Sequence, residues 1–293
     1  MKTSPPPNRG DKHFLDSSAA RPLLLASSKY RAHLKAQFGD RPQYISIYVQ
    51  MEIRRSFLRA AIAFHAILQM PTILSVYDAL SLWSNQFKSS RLRAVPPIIY
   101  GIMEAHSIDP KSPKDKKKVS TALANYIIRF ESKLRRSFTD PGQDTTRCAR
   151  AVVPLRFYAD DISRGLQEFA EQFDDTKQCR ANCSIDHVLL RRYQGEVKEF
   201  VRLAQSTANN DETRGFLGVA KNLATILQKG SAACSCRRCE TIGDALIALE
   251  APRQMLLEHL DNSFNQLCPP INQRHRQHQS EIAFHREASK LAP

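Results

Sequence analysis

The chain has 293 residues, of which 42% are hydrophobic and 25% charged, and this is the composition of an ordinary globular protein. Collagen, coiled coils and wholly disordered chains are therefore excluded. The 43 Lys and Arg residues outnumber the 29 Asp and Glu residues, giving a net charge of +14. Such an excess favours a polyanionic partner, either nucleic acid or an anionic membrane, although it can also serve solubility alone.

Strands and helices are predicted to alternate in the first part of the chain. Residues 1–11, with three consecutive prolines, predict a flexible leader, and Phe14 and Leu15 predict a short strand that ends at Asp16. The hydrophobic spacing that follows predicts a helix over 19–38, a strand over 44–47, a helix from Tyr48 to before Pro71, a strand over 72–74, and helices over 76–87 and 91–106.

The second part of the chain is mostly helical by the same criteria. The lysine-rich residues 111–118 predict a solvated or phosphate-contacting loop, and 140–142 predict a turn. Helices are expected over 119–138, 159–173, 186–206, 212–228 and 240–250, then a strand over 255–260 that ends at Asp261, and a disordered or loosely helical tail over 272–293. The alternation indicates an α/β domain with a parallel sheet.

Neither a membrane span nor an export signal is predicted. The longest stretch without Asp, Glu, Lys or Arg runs from Ala60 to Tyr77 and is interrupted by His65, Gln69 and Pro71. The seven cysteines are an odd number, which excludes a complete disulfide framework. We therefore expect a cytoplasmic protein whose cysteines are thiols or metal ligands.

Four acidic residues occur at positions where a parallel sheet would bring them together. Asp16 and Asp261 each end a predicted strand, and ligands bind outside the carboxyl ends of such strands. Glu52 and Asp244 lie in predicted helices with apolar neighbours. Each acid also has an ordinary structural interpretation, as a helix cap, a first-turn acid or a partner of a nearby arginine.

The order of these acids resembles that of the PIN-domain nucleases. In that family an Asp ends the first strand before a small hydroxyl residue, here Ser18. A Glu lies in the helix after the second strand, and a helix opening roughly Asp-x-x-Ile-Ala precedes the last strand and the last acid. Asp244 and Asp261 are 17 residues apart, and Phe264 follows Asp261 as the family pattern expects. The resemblance covers about residues 13–100 and 236–268.

The resemblance implies a fold, a metal and an activity. The fold would be a three-layer PIN-like α/β domain with a short central parallel sheet and a mostly helical insertion. The boundaries would be a leader over 1–11, a core over 12–110 and 234–270, the insertion over 111–233, and a basic tail over 271–293. Asp16, Asp244, Asp261 and Glu52 would bind Mg²⁺ or Mn²⁺, with Glu240 as a weaker candidate, and the reaction would be hydrolysis of RNA.

The chain departs from the family pattern in three places. The first strand is short and polar at Lys12 and His13, His259 stands where the family often has Thr or Ser, and the interval between Glu52 and Asp244 is long. These departures keep open a second hypothesis, a PIN-like protein without catalysis that binds nucleic acid or serves as a scaffold.

Basic residues near the acids are candidates for contacts with substrate phosphates. These basic candidates are Arg54, Arg55, Arg237 and Arg238, with Arg59 and the lysines at 116–118 adding charge. Ser18 is a further candidate for a substrate contact, and it could also hydrogen-bond a carboxylate. RNA is thus the expected partner. A toxin held by an antitoxin-like protein inhibitor, an RNA-processing enzyme and a defence nuclease all fit the family, and so does a homo-oligomer.

Cys236 and Cys239 have the spacing of a zinc knuckle. Cys179 and Cys183 are the natural partner pair for a structural zinc, and Cys234 and Cys148 are alternatives. The other interpretation is a set of buried free thiols.

Overall fold

Four short strands form one parallel sheet. The computed structural model describes residues 12–26, 28–38, 41–86, 95–139, 153–156, 158, 161–174, 184–230, 236–280 and 283–284. The strands are β1 (Lys12–Leu15), β2 (Gln43–Tyr44), β3 (Met255–His259) and β4 (His275–Gln277), in the order β2-β1-β3-β4. All three pairings are parallel, so the carboxyl ends of the strands share one edge of the sheet.

The register places the ends of the two central strands side by side. Leu15 of β1 is opposite Glu258 of β3, and the Asp16 amide donates to the Glu258 carbonyl at 3.1 Å. Residues that follow these two strands therefore emerge next to each other. This confirms the predicted α/β class with a parallel sheet, while its PIN-like version remains a prediction.

The chain divides into two compact units. The first comprises residues 1–50, 137–151 and 176–293, and the second comprises residues 51–136 and 152–175. This division cuts the chain at other places than the predicted boundaries after residues 110 and 233.

The first unit contains the sheet and nine of the helices among the described residues. These helices are α1 (Ser17–Leu25), α2 (Ser28–Phe38), the start of α3 (Ile47–Ile53), α9 (Ile185–His187), α10 (Gln194–Ser206), α11 (Arg214–Lys229), α12 (Cys236–Thr241), α13 (Gly243–Glu250) and α14 (Phe264–Leu267). The core is apolar where the strands meet the helices: Phe14, Leu257 and Phe264 are completely buried, as are Ala245 to Ala248 of α13. The segment after α9, Val188–Arg192, is a π-helix, and Pro269–Ile271 forms a 3₁₀ turn.

The second unit contains helices, joined by turns, and no strand among its described residues. It contains the end of α3, the π-helix Arg54–Leu58, α4 (Arg59–Gln69), α5 (Val76–Gln86), α6 (Val95–Ala105), α7 (Pro113–Ser137) and α8 (Ile162–Asp174). Its core is rich in aromatic rings. Phe57 packs against Phe130 at 4.3 Å between ring centroids, and Phe64 packs edge-on against Trp83 at 5.4 Å.

The predicted strand over 72–74 is wrong. Pro71 and Thr72 form a turn, Ile73 is buried, and Leu74 is 65% exposed. The Ile73 carbonyl accepts from Lys116 Nζ at 2.6 Å and its amide donates to the Met70 carbonyl. Because the amide and the carbonyl of Ile73 already have hydrogen-bond partners, neither group is available to pair with a neighbouring strand.

The predicted loop over 111–118 is also wrong from residue 113 onward, because α7 begins there. Proline is favoured at the first position of a helix, where no amide hydrogen is needed. Asp115 places a negative charge in the first turn and pairs with Lys118 at 2.7 Å. These local terms outweigh the repulsion among the lysines.

Three further predictions need correction. The tail predicted to be disordered or loosely helical contains β4, which pairs with β3, and polar residues are acceptable there because β4 is an edge strand. The predicted helix over 240–250 is two helices, α12 and α13, interrupted at Ile242. Similarly, the single helix predicted over 19–38 is observed as α1 and α2. The predicted leader, the turn at 140–142 and the end of the tail lie outside the described residues.

Candidate functional site

Asp16 is fixed at the junction of β1 and α1. Its backbone is extended and its carboxylate caps α1 by accepting from the Ala19 amide at 2.8 Å. Its side chain is buried, with 1% of its surface exposed. The helix-cap interpretation of Asp16 is thus correct as far as local structure goes.

Ser18 connects this carboxylate to the end of the neighbouring strand. The Ser18 hydroxyl lies 2.9 and 2.7 Å from the two oxygens of Asp16, and it accepts from the Leu260 amide at 2.9 Å. Ser18 also acts on Asp261 and lowers the pKa of that carboxyl. Ser18, predicted as a substrate contact, is therefore occupied in holding the two strand ends together.

The other two aspartates, Asp261 and Asp244, belong to the end of β3 and to α13. Asp261 follows β3 and is exposed, and Asp244 lies in the first turn of α13, half-buried. Ser263, two residues after Asp261, donates its hydroxyl to Asp244 Oδ2 at 2.6 Å. The loop after β3 thereby ties the third predicted acid to the fourth.

The three aspartates share an unfavourable electrostatic environment. Burial is the largest cause that raises the pKa of Asp16, and the charge of Asp261 raises it further. The pKa of Asp244 is raised by burial and by Asp261, against the lowering effect of Ser263. Burial also raises the pKa of Asp261, while Arg21 and Ser18 act to lower it. Like charges have thus been gathered where desolvation already penalises them.

The other two predicted acids are Glu52 on α3 and Glu240 on α12. Glu52 belongs to the second unit, where it is half-buried on α3. Glu240 is half-buried on α12, so it does not share an uninterrupted helix with Asp244 as the sequence predicted.

The predicted basic residues have varied surroundings. Arg54 is buried and forms a bidentate pair with Glu131, and it also donates to the Val153 carbonyl at 3.1 Å. This role is structural, in place of the predicted substrate contact, because a guanidinium engaged in this way presents no surface to a phosphate. Arg238 Nε donates to Asn222 Oδ1 at 3.2 Å and is half-buried. The side chain of Arg237 lies outside the described residues.

Arg55 and Arg59 line a cavity of about 720 Å³ in the second unit, together with His65 and Trp83. Arg59 Nε lies 2.9 Å from Asp174 Oδ1, and both side chains are largely exposed. Burial lowers the pKa of His65, which lies 3.1 Å from the Ser120 hydroxyl.

Of the predicted zinc ligands, only Cys239 has a described side chain. It is buried, and its carbonyl accepts from the Tyr48 hydroxyl at 2.7 Å. Cys179, Cys183, Cys234, Cys148 and the side chain of Cys236 lie outside the described residues, so the zinc site remains a prediction.

Sequence reasoning missed a buried ionic cluster centred on Glu258. This carboxylate is completely buried and accepts from His13 Nδ1 at 2.6 Å, from His278 Nε2 at 2.7 Å, and from Arg276 Nε and Nη2 at 2.8 and 2.6 Å. The hydrogen bonds lower the pKa of Glu258 to about 2 in spite of burial. A Glu in the middle of an apolar strand was the available signal, since a buried charge needs partners.

A second missed feature is a pair of histidines on the same strands. His259 Nε2 lies 3.0 Å from His275 Nδ1, and the His259 ring packs on Phe264 at 4.9 Å. Burial and the charge of His275 lower the pKa of His259 to about 3. His259, the departure from the family pattern, is thus a neutral core residue.

The donor set suits a hard divalent cation held through few protein ligands. Within the described residues, no group of three or more His, Cys, Asp or Glu side chains could hold a metal ion. Mg²⁺, however, is often bound by only one or two carboxylates, with waters and substrate phosphates completing the shell. Asp261, which is exposed and raises the pKa of both other aspartates, is the best placed to be such a ligand.

Comparison of the chain with models of protein families, with curated proteins and with solved structures finds no match. Among the described residues, none of the helices combines the length and the apolar character needed to cross a membrane.

Proposed function

We propose that the chain is a PIN-like ribonuclease that hydrolyses RNA with Mg²⁺ or Mn²⁺. The observation that carries this proposal is the gathering of Asp16, Asp244 and Asp261 around the carboxyl ends of β1 and β3, where the charge of Asp261 raises the pKa of both other aspartates. Repulsion between carboxylates lowers the stability of the folded chain. A bound cation would remove it and give the arrangement a purpose.

The residues would divide the work as follows. When bound, the cation supplies a Lewis acid and lowers the pKa of a coordinated water. Asp261 would be its most accessible ligand, with Asp16 and Asp244 fixed behind it by Ser18 and Ser263. Arg21, whose charge acts on Asp261, would lie near an incoming phosphate. Glu52 remains a predicted ligand or water-orienting residue.

A labelled single-stranded RNA pool, incubated with Mn²⁺ or Mg²⁺, tests this proposal. Wild type and Asp211→Asn, which removes an exposed aspartate of the same unit, should cleave the pool. Asp244→Asn and wild type in EDTA should not. Equal cleavage by wild type and Asp244→Asn would contradict the proposal.

The second candidate is a protein that binds nucleic acid without cleaving it. Two observations favour it: no three described side chains form a metal site, and Asp16 and Asp244 already serve α1 and α13 as a cap and a first-turn acid. Under this hypothesis no cleavage occurs, and Asp261→Asn tightens RNA binding because it removes a negative charge.

The biological role rests on the family resemblance alone. A toxin with a protein inhibitor, an RNA-processing enzyme and a defence nuclease would all use this site, and the bound partner in each is RNA.

A further inference from the structure

We infer that a basic groove along α7 binds the phosphate backbone of single-stranded RNA. The groove is a cavity of about 720 Å³ in the second unit, and its lining among the described residues includes Lys114, Lys117, Lys118 and Arg129 but neither Asp nor Glu. Asn125 and Tyr126 lie among these cations, and Ile102 of α6 and His106 in the turn after α6 complete the lining. The inference rests on the proposed function in taking RNA as the ligand.

The cations share one face of the helix because of their spacing. Residues 114, 117, 118, 121, 125 and 129 recur at three- and four-residue intervals, so their side chains align along α7. The opposite face carries Val119, Leu123, Ile127, Phe130 and Leu134, which are all buried. Core packing therefore fixes the helix so that the charged face lines the groove.

Lys116, on the same helix, has a structural role. Lys116 projects to the buried side and donates to the Ile73 carbonyl at 2.6 Å. Lys118 is partly neutralised by Asp115 at 2.7 Å. Lys117 and Arg129, in contrast, line a concave surface from which acids are absent. A cleft lined by one sign of charge concentrates its field and attracts counter-charged ligands.

The dimensions and chemistry favour a strand of nucleic acid over a small anion. From Lys114 to Arg129 the helix rises roughly 22 Å. Phosphates of one duplex strand are about 3.4 Å apart along the axis, so this face can meet several of them. The Tyr126 ring is half-exposed and held edge-on to Phe57 at 6.1 Å, and it offers a surface on which a base can stack. A flat membrane surface would meet the rims of this concave groove more readily than its lining.

Binding of a fluorescent 20-nucleotide single-stranded RNA, followed by anisotropy over a series of KCl concentrations, tests the inference. The full chain carries Asp244→Asn throughout, so that cleavage does not interfere. The groove variant is Lys117→Gln with Arg129→Gln. The control variant is Lys111→Gln with Arg136→Gln, which removes the same two charges from exposed positions that do not line the groove.

The groove variant should bind about 10-fold or more weakly at 0.1 M salt, and its log–log salt slope should fall by about 1 to 2. The control should change little, and circular dichroism should show both variants folded. Equal affinities in the groove and control variants would overturn the inference. So would loss of binding to phosphatidylserine vesicles, but not to RNA, in the groove variant.

The outcome is separable from that of the nuclease proposal. If wild type does not cleave RNA while the groove variant still loses binding, the groove stands and the nuclease fails. If wild type cleaves RNA and both double variants bind equally, the nuclease stands and the groove fails.

Discussion

Glu258 in β3 and Asp16 at the end of β1 are carboxylates with opposite electrostatic environments. Glu258 is completely buried, yet His13, His278 and Arg276 hold its pKa at about 2. Asp16 is nearly as completely buried, but the charge that acts on its carboxyl is that of Asp261, and its pKa is raised. The fold neutralises the first carboxylate by itself, whereas the proposed function assigns the second to a cation from outside. Charge compensation thus separates a structural carboxylate from a candidate ligand-binding one.

The largest expected effect on stability comes from removing Glu258, the carboxylate whose charge the fold neutralises. Glu258→Ala leaves two histidines and an arginine without their buried partner, which should cost about 3–5 kcal/mol of unfolding free energy. Urea unfolding followed by circular dichroism measures it. Glu212→Ala, at an exposed residue, is the control and should change the free energy little. Near-equal stability of the two variants would show that Glu258 is not the centre of the cluster.

Acid should act on the same carboxylate in wild type. Because the folded pKa of Glu258 is lowered to about 2, its contribution is complete above its unfolded pKa and is lost as pH falls from about 4.5 towards 2. This loss amounts to roughly 3 kcal/mol. Urea midpoints over this pH range should therefore fall more steeply for wild type than for Glu258→Gln. Parallel curves would contradict the assignment.

Ser18 joins the two strand ends, and its removal tests the environment of Asp16, the carboxylate whose pKa is raised. Ser18→Ala removes the bond to Asp16 and the acceptor of the Leu260 amide, with an expected cost of about 1 kcal/mol. The pKa of Asp16 should also rise further, because a lowering hydrogen bond is lost. Thermal unfolding against Ser206→Ala, an exposed helix residue, measures the cost. An unchanged melting temperature would show that the hydroxyl is not needed.

The smallest expected effect is a gain in stability. Asp261→Asn removes the charge that raises the pKa of Asp16 and Asp244, so the metal-free protein should become slightly more stable at pH 7, by less than ~1 kcal/mol. Acids with raised pKa destabilise the fold as pH rises, so this gain should vanish below pH ~4, where they are protonated in both states. Destabilisation at pH 7 would mean that the favourable interactions of Asp261 with Arg21 and Ser18 outweigh its repulsion of the other two aspartates.

The sequence predicted the parts of this arrangement that depend on local pattern. The strands before Asp16 and Asp261 begin and end within two residues of their predicted bounds, because apolar periodicity and flanking polar residues define them. A helix at Asp244 was predicted, but the break at Ile242 was not. The sequence did not predict β4, whose His275 and Arg276 become strand residues only through long-range partners on β3. Similarly, nothing local distinguishes the buried Arg54 from an exposed arginine, because its partner Glu131 lies far along the chain.

Binding of Mn²⁺ to the purified chain, followed by the loss of the free-ion signal in electron paramagnetic resonance, tests most directly whether the aspartates await a cation. The account predicts about one Mn²⁺ per chain at neutral pH, as for a cation on one or two carboxylates. Asp261→Asn should weaken the affinity at least ~10-fold, while Asp211→Asn should not. Identical Mn²⁺ binding by wild type and Asp261→Asn would contradict it, and so would no binding by wild type.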